Sequence, residues 1–175
     1  MLPSYAELLQ SDSLVDNLQT VRPDELLGRD KVDLDGPEVT KAYAGRSVMV
    51  TGAGGSIGSE LCRQLTDCKP RRIVLFEHSE YALYQIEREL RATLSGAHNV
   101  EISTRLGSVT DDTRVRHVIR NDEVEFILHA AAYKHVPIVE DNEIEGARNN
   151  VLGTKVIATA ACELGVERFI LVSTN

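Results

Sequence analysis

Apolar residues in this 175-residue chain fall into two recurring patterns. Short, nearly unbroken apolar runs alternate with longer stretches in which apolar residues return every three or four positions. From Arg46 onward that alternation predicts strand, helix, strand, helix. Ser47–Thr51 reads as the first strand. Ser56–Cys68 reads as the helix after it, with Ile57, Leu61 and Leu65 on its apolar face. Arg72–Glu77 follows as a second strand. Its Ile73, Val74, Leu75 and Phe76 leave no polar face, as in parallel strands covered on both sides. Glu80–Leu94 places Leu83, Ile86, Leu90 and Leu94 at helical spacing. Val100–Leu106, Glu125–Ala130 and Arg168–Ser173 read as the third, fourth and fifth strands. Asp111–Asn121, carrying Val115, Val118 and Ile119, reads as a helix, and residues 137–164 as largely helical with a break near Asn142. The pattern predicts an α/β fold, a Rossmann-type doubly wound parallel sheet with helices on both faces.

Residues 1–45 break the alternation. Pro3, Pro23, Gly28, Gly36 and Pro37 punctuate them, and acidic residues are frequent. Ser4–Leu9 and Ser13–Leu18 read as short helical turns. The segment is expected to be a connector or leader lying on the following domain, with Lys41–Gly45 leading into the core. Residues 46–175 are expected to form the dinucleotide-binding domain. The chain stops at Asn175, directly after a buried strand, which reads as a domain incomplete at its C-terminus.

Composition narrows the function. A net charge of −8 argues against a nucleic-acid partner held through its phosphates. Cys62, Cys68 and Cys162 have no metal-ligand spacing, so no metal site is expected. Cys62 and Cys162 lie in helical patterns and read as buried or half-buried thiols in a reducing compartment. No apolar run reaches membrane-spanning length and no signal peptide opens the chain. The expectation is a soluble, cytoplasmic chain.

The chemistry concentrates at the predicted carboxyl ends of the strands. After Thr51 the chain runs Gly52-Ala53-Gly54-Gly55-Ser56-Ile57-Gly58 and enters a helix. Gly52 permits a tight turn, Gly55 lets the main chain approach phosphates, and Gly58 lets the helix pack close on the first strand. Free N–H groups and the positive end of the helix dipole then face an anion, which predicts dinucleotide binding. Glu77 ends the second strand, where an acidic group accepts hydrogen bonds from the adenosine ribose and repels the extra phosphate of NADP. The expected cofactor is therefore NAD. The competing role for Glu77 is that of an acid at a helix start, stabilised by the dipole and by His78 and Ser79. Gly107, Ser108 and Val109 either border the adenine pocket or form an ordinary turn before a helix capped by Thr110 or Asp111. Ala130, Ala131 and Ala132 let the backbone pass close to a cofactor. Lys134 stands where it can hold a ribose or a phosphate. His129 reads as a satisfied core histidine, and Tyr133 as pocket wall or packing. Asn149 and Asn150 are poor helix formers. One of them is expected either to bridge backbone near the site or to sit at the surface. Ser173 and Thr174 place hydroxyls at the ligand edge, beside Asn175.

Together these residues resemble the extended short-chain dehydrogenase/reductase superfamily. They are most similar to the membrane-anchored UDP-N-acetylglucosamine 4,6-dehydratases of bacterial polysaccharide synthesis. The resemblance covers nearly the whole chain. It rests on the Arg22–Arg29 segment, Val50–Gln64, Glu77–Tyr81, His129–Pro137, Asn149–Thr154 and Val172–Thr174. It implies redox-neutral loss of water: NAD takes a hydride from C4 of the sugar, water leaves across C5 and C6, and the hydride returns to C6. It also implies a UDP-sugar substrate, a parent protein at the cytoplasmic face of the inner membrane, and pairing of copies through helices such as that within 137–164. Residue reading and resemblance together give cofactor contacts at Gly52, Gly55, Ser56, Ile57, Gly58, Glu77, His78, Ser79, Gly107, Ser108, Val109, Ala130, Ala131, Ala132, Lys134, Asn149 and Ser173. Lys134, Thr174 and Asn175 fall at catalytic positions. Two departures matter. The family has Thr-Asp-Lys where this chain has Thr174-Asn175, and an amide cannot act as the carboxylic acid for the leaving hydroxyl. The downstream catalytic lysine motif and the sugar-binding region are absent. The implied outcome is a chain that binds cofactor and catalyses little; the alternatives are part of an NAD-dependent nucleotide-sugar 4-epimerase or a non-catalytic NAD-binding module.

Overall fold

A computed structural model describes residues 37–94 and 100–173. The two early helical turns, the Arg22–Arg29 motif, Thr174 and Asn175 lie outside the described residues. Helix α1 (Pro37–Tyr43) leads into strand β1 (Ser47–Thr51), and α2 (Ser56–Asp67) follows. Strand β2 (Arg72–Glu77), α3 (Glu80–Leu94), β3 (Glu101–Leu106), α4 (Asp112–Asn121) and β4 (Phe126–His129) continue the alternation. Two short helices, α5 (Val136–Glu140) and α6 (Glu143–Ala147), run into a π-helical turn (Arg148–Gly153). Helix α7 (Thr154–Glu163) and strand β5 (Arg168–Leu171) complete the order.

All strand pairs are parallel, and the sheet order is β3-β2-β1-β4-β5. This is the doubly wound arrangement that the alternation predicts. Connections from β1 to β2 to β3 run one way and those to β4 and β5 the other, so the order reverses between β1 and β4. A crevice opens at such a point, beyond the carboxyl ends of the strands.

Strands β1, β2 and β4 read as unbroken apolar runs because each face of the sheet has its own core there, whereas β5, read from sequence as a buried strand, is mostly exposed. Val48, Val50, Ile73, Leu75, Phe126 and Leu128 pack with Cys62 and Leu65 of α2 and Leu83, Ile86 and Leu90 of α3. The intervening Met49, Val74, Phe76 and Ile127 pack on the other side with Val115, Val118 and Ile119 of α4 and Ile157, Ala160 and Ala161 of α7. Side chains alternate across a strand, so adjacent residues feed different layers. Tyr43 of α1 closes one end by meeting Phe126 edge-on at 5.7 Å.

Several details differ from the pattern-based reading. The buried face of α2 is Gly58, Cys62, Leu65 and Thr66, while Ile57 and Leu61 are half-buried. Gly58 itself takes a place on the buried face, against the Gly52 carbonyl. Cys162 is exposed rather than buried, because α7 sets Ala160 and Ala161 against the core instead. Cys62 is buried, and burial pushes its thiol up to about 12. The 137–164 region breaks near Asn142 as expected, but it is interrupted again by the π-helical turn.

Candidate functional site: a cleft at the carboxyl ends of the strands

The turns after β1, β2, β3 and β4 converge on one cleft of about 590 Å³. Its floor is the glycine turn. Gly52 sits at φ +65°, a region that penalises any Cβ, and its N–H donates to the Phe76 carbonyl at 2.9 Å. A Cβ on Gly52 would lie 2.8 Å from Ala131 Cα. One on Gly58 would lie 1.9 Å from the Gly52 carbonyl oxygen. The turn and the helix start thus touch backbone to backbone. Gly55 is the N-cap of α2, without a side-chain capping bond, and no acidic residue occupies the first helical turn. The first N–H groups of a helix have no partner within it, so those of Ser56, Ile57 and Gly58 form an electropositive helix start beside the cleft.

Glu77 is 4% exposed at the end of β2. Its Oε2 accepts from Gly54 N at 3.1 Å, and its Oε1 accepts from His78 N at 2.9 Å and Ser79 N at 3.0 Å. The His78 Nδ1 lies 2.9 Å from Oε1. The carboxylate therefore lashes the β2 turn to the glycine turn while forming part of the cleft wall. Of the two roles weighed from sequence, the geometry shows the acid at a helix start, which takes N–H groups at the beginning of α3, and it also places Glu77 in the cleft wall.

Gly107, Ser108, Val109 and Thr110 form the next wall. A Cβ at Gly107 would meet the Phe76 ring at 3.0 Å. Asp111 is the cap of α4, accepting from Arg114 N at 3.0 Å. The turn-and-cap arrangement and the wall position coexist. Ala130, Ala131, Ala132 and Tyr133 make the opposite wall, and both asparagines hold it. Asn149 Nδ2 donates to the Ala131 carbonyl at 2.7 Å. Asn150 Oδ1 accepts from Tyr133 N at 2.8 Å, and its Nδ2 donates to the Tyr133 carbonyl at 3.1 Å. The sequence left backbone bridging by one asparagine level with a surface position; the structure shows bridging, and by both.

His129 is a buried, hydrogen-bonded histidine, as expected. It lies between Thr51 Oγ1 at 2.6 Å from Nδ1 and Thr154 Oγ1 at 3.0 Å from Nε2. Burial, with a smaller contribution from Lys134, lowers its pKa to about 4. Lys134 Nζ donates to the Val172 carbonyl at 2.9 Å and so bridges the chain after β4 to the chain after β5. It borders a second cavity of about 390 Å³, which shares Tyr133 and Glu145 with the main cleft. Ser173 is exposed beyond β5 and is not among the cleft walls.

Phe76, Gly54, Ala82, Thr110, Glu145 and Arg148 line the cleft without having been expected there from sequence. Gly54 and Ala82 face each other, and a Cβ at Gly54 would approach Ala82 Cβ to 2.5 Å. Two small residues in consecutive elements were the available signal. Thr110 enters through its 2.8 Å contact with Ser108 Oγ. Glu145 and Arg148 reach the cleft through the path of α6 and the π-helical turn, for which no local signal exists.

Comparison with known proteins agrees with this architecture. Residues 48–175 match the family described as polysaccharide biosynthesis protein. The capsular polysaccharide biosynthesis protein CapD of Staphylococcus aureus is 39% identical over 174 residues, covering 99% of this chain and 29% of CapD. A UDP-N-acetylglucosamine 4,6-dehydratase (inverting) of Campylobacter jejuni is 28% identical over 134 residues, covering 76% of this chain and 37% of that enzyme. The UDP-glucose 4-epimerase of Bifidobacterium longum, solved in complex with NAD+ and UDP, shares the fold with a TM-score of 0.62. It is 22% identical, and the match covers 73% of this chain and 37% of the epimerase. This chain thus spans about three tenths of the length of CapD. With the sheet order, the glycine turn and the match over residues 48–175 in agreement, the chain belongs to the polysaccharide biosynthesis protein family.

Proposed function

We propose that this chain is the NAD-binding part of a nucleotide-sugar 4,6-dehydratase that acts on UDP-N-acetylglucosamine in the synthesis of bacterial surface polysaccharide. The observation that carries the reading is the joining of an uncapped helix start, a glycine turn closed to any Cβ, and a buried acid at the end of β2 in one cleft. The cradle fits a dinucleotide. Ser56, Ile57 and Gly58 offer N–H groups to its pyrophosphate. Glu77 Oε2, which accepts from Gly54 N, keeps one further acceptor position for a ribose hydroxyl, since each carboxylate oxygen offers about two. Gly107–Val109 border the adenine, and Ala130–Ala132, held by Asn149, leave a flat wall for the nicotinamide end. When bound, the dinucleotide supplies a reversible hydride acceptor for the sugar.

The chain's remaining tasks are positional. Lys134 sets its ammonium between the chains leaving β4 and β5. Thr174 and Asn175 follow β5, and the proposal places them at the sugar. Asn175 holds the position of the family's acid, so proton delivery to the leaving 6-hydroxyl is weak in this sequence. Among the described residues no helix is long and apolar enough to cross a membrane. A longer protein at the cytoplasmic face of the inner membrane belongs to the same reading.

Two measurements test the reading. Calorimetric titration of the chain with NAD and with NADP should show binding of NAD and much weaker binding of NADP. Equal binding would remove the assigned role of Glu77. Incubation of a longer protein carrying this segment with UDP-N-acetylglucosamine should yield a 4-keto-6-deoxy product by mass spectrometry and NMR. A C4 epimer with its 6-hydroxyl retained would replace the dehydratase with an epimerase.

A further inference from the structure

His129 takes no part in the chemistry proposed above, yet it joins the elements that lead into three walls of the cleft. It is 2% exposed and ends β4. Its Nδ1 partner, Thr51, is the last residue of β1 and precedes Gly52. Its Nε2 partner, Thr154, is the first residue of α7 and follows the π-helical turn. The next residue, Ala130, donates its N–H to Thr51 Oγ1 at 3.2 Å and opens the loop held by Asn149 and Asn150. One imidazole bonds the residue just before the glycine turn on one side and the residue just after the π-helical turn on the other. It carries the third wall on its own backbone.

Burial fixes the direction of each hydrogen. Thr51 is fully buried, and its Oγ1 already accepts from Ala130 N. Among the described residues, the acceptor within reach of its hydroxyl hydrogen is His129 Nδ1, and leaving a buried hydroxyl unpaired is costly. Nδ1 is therefore unprotonated, and Nε2 carries the hydrogen and donates to Thr154 Oγ1. Thr154 is half-buried, so its own hydroxyl hydrogen needs no buried acceptor. The ammonium of Lys134 disfavours a second proton on the ring, and the Phe169 ring, 5.8 Å away, covers its remaining side.

We propose that His129, as the neutral Nε2–H tautomer, is a positioning residue that sets the width of the cleft by holding the glycine turn against the π-helical wall. The consequence for cofactor affinity rests on the dinucleotide reading of the cleft, and the clamp itself does not.

The test separates the two. Long-range nitrogen–proton NMR of the histidine-labelled chain at neutral pH should show the hydrogen on Nε2, and a hydrogen on Nδ1 would overturn the proposal. Thr154→Val removes the acceptor without changing side-chain size. It should shift the amide resonances of residues 52–55, across the imidazole from the substitution, and weaken NAD binding by about ten-fold, the order expected for one lost buried hydrogen bond. Unmoved glycine-turn resonances would overturn the proposal, since a residue that merely fills space would not transmit the change. His129→Asn, whose Oδ1 stands in for Nδ1, and His129→Gln, whose amide reaches the place of Nε2, should each recover part of the affinity lost in His129→Leu. Shifted glycine-turn resonances in a chain that binds no NAD would support the clamp and sink the dinucleotide reading.

Discussion

At the scale of single residues, the glycines of the turn do different jobs. Gly58 is excluded from carrying a side chain by backbone only 1.9 Å from where a Cβ would stand. Gly55 would place a Cβ 3.3 Å from its nearest neighbour, in an extended conformation open to any residue. Gly58→Ala should therefore destabilise the fold by about 3 kcal/mol or more, because the obstacle is main chain that cannot rotate away. Gly55→Ala should cost under about 1 kcal/mol and still weaken NAD binding, because its methyl group intrudes on the phosphate path. Urea unfolding and calorimetry on the two variants check the split. Asn175 supports a third expectation at this scale. In a longer protein carrying this segment, Asn175→Asp should raise the elimination rate by about 10²-fold, the usual worth of a placed general acid, as read by formation of the 4-keto product.

At the scale of elements, the asparagine pair and the loop it holds form a unit. Asn150 makes two bonds to the main chain of Tyr133, and Asn149 makes one to Ala131. Asn150→Ala should loosen residues 131–134 and speed their amide exchange, at a cost of about 1–2 kcal/mol. Exchange mass spectrometry would see the change confined to that loop. The same region marks where the sequence stops being legible. The first, second and fourth strands are readable because both faces are covered, which writes an unbroken apolar run. The glycine turn is readable because its spacing encodes close contacts that no other residue type permits. The π-helical turn carries no such mark: Asn149, Asn150 and Gly153 are poor helix formers, which signals a weak helix but not a π-helical one. Arg148 and Glu145 consequently reach the cleft unannounced, and Lys134, placed by sequence at a ligand, spends a hydrogen bond on the Val172 carbonyl. The exposed Cys162 was misplaced for a related reason. Past the π-helical turn, the side of α7 facing the core is set by contacts with α4 and not by the run of residues before it.

At the scale of the whole molecule, the buried histidine links stability to acidity. Within the fold, burial first and Lys134 second lower the His129 pKa to about 4, against an ordinary 6.5 in an unfolded chain. Between those values the unfolded state holds the extra proton, so stability is full above about 6.5 and is lost as pH falls toward about 4. The loss amounts to on the order of 3 kcal/mol. Urea unfolding followed from neutral pH to about 4 should show it, and His129→Asn should flatten that slope. The π-helical turn has a wider consequence. One added residue advances a helix by about 100° around its axis. Within it, Asn149 and Asn150 address the loop over the cleft; beyond it, Ile157, Ala160 and Ala161 address the sheet. The rotation lets a single rod serve two clients that an unbroken helical period could not reach together. Deleting one residue from the turn would restore regular hydrogen bonding and leave one client facing away. The irregular turn is thus the gearing by which the core and the cleft share one helix.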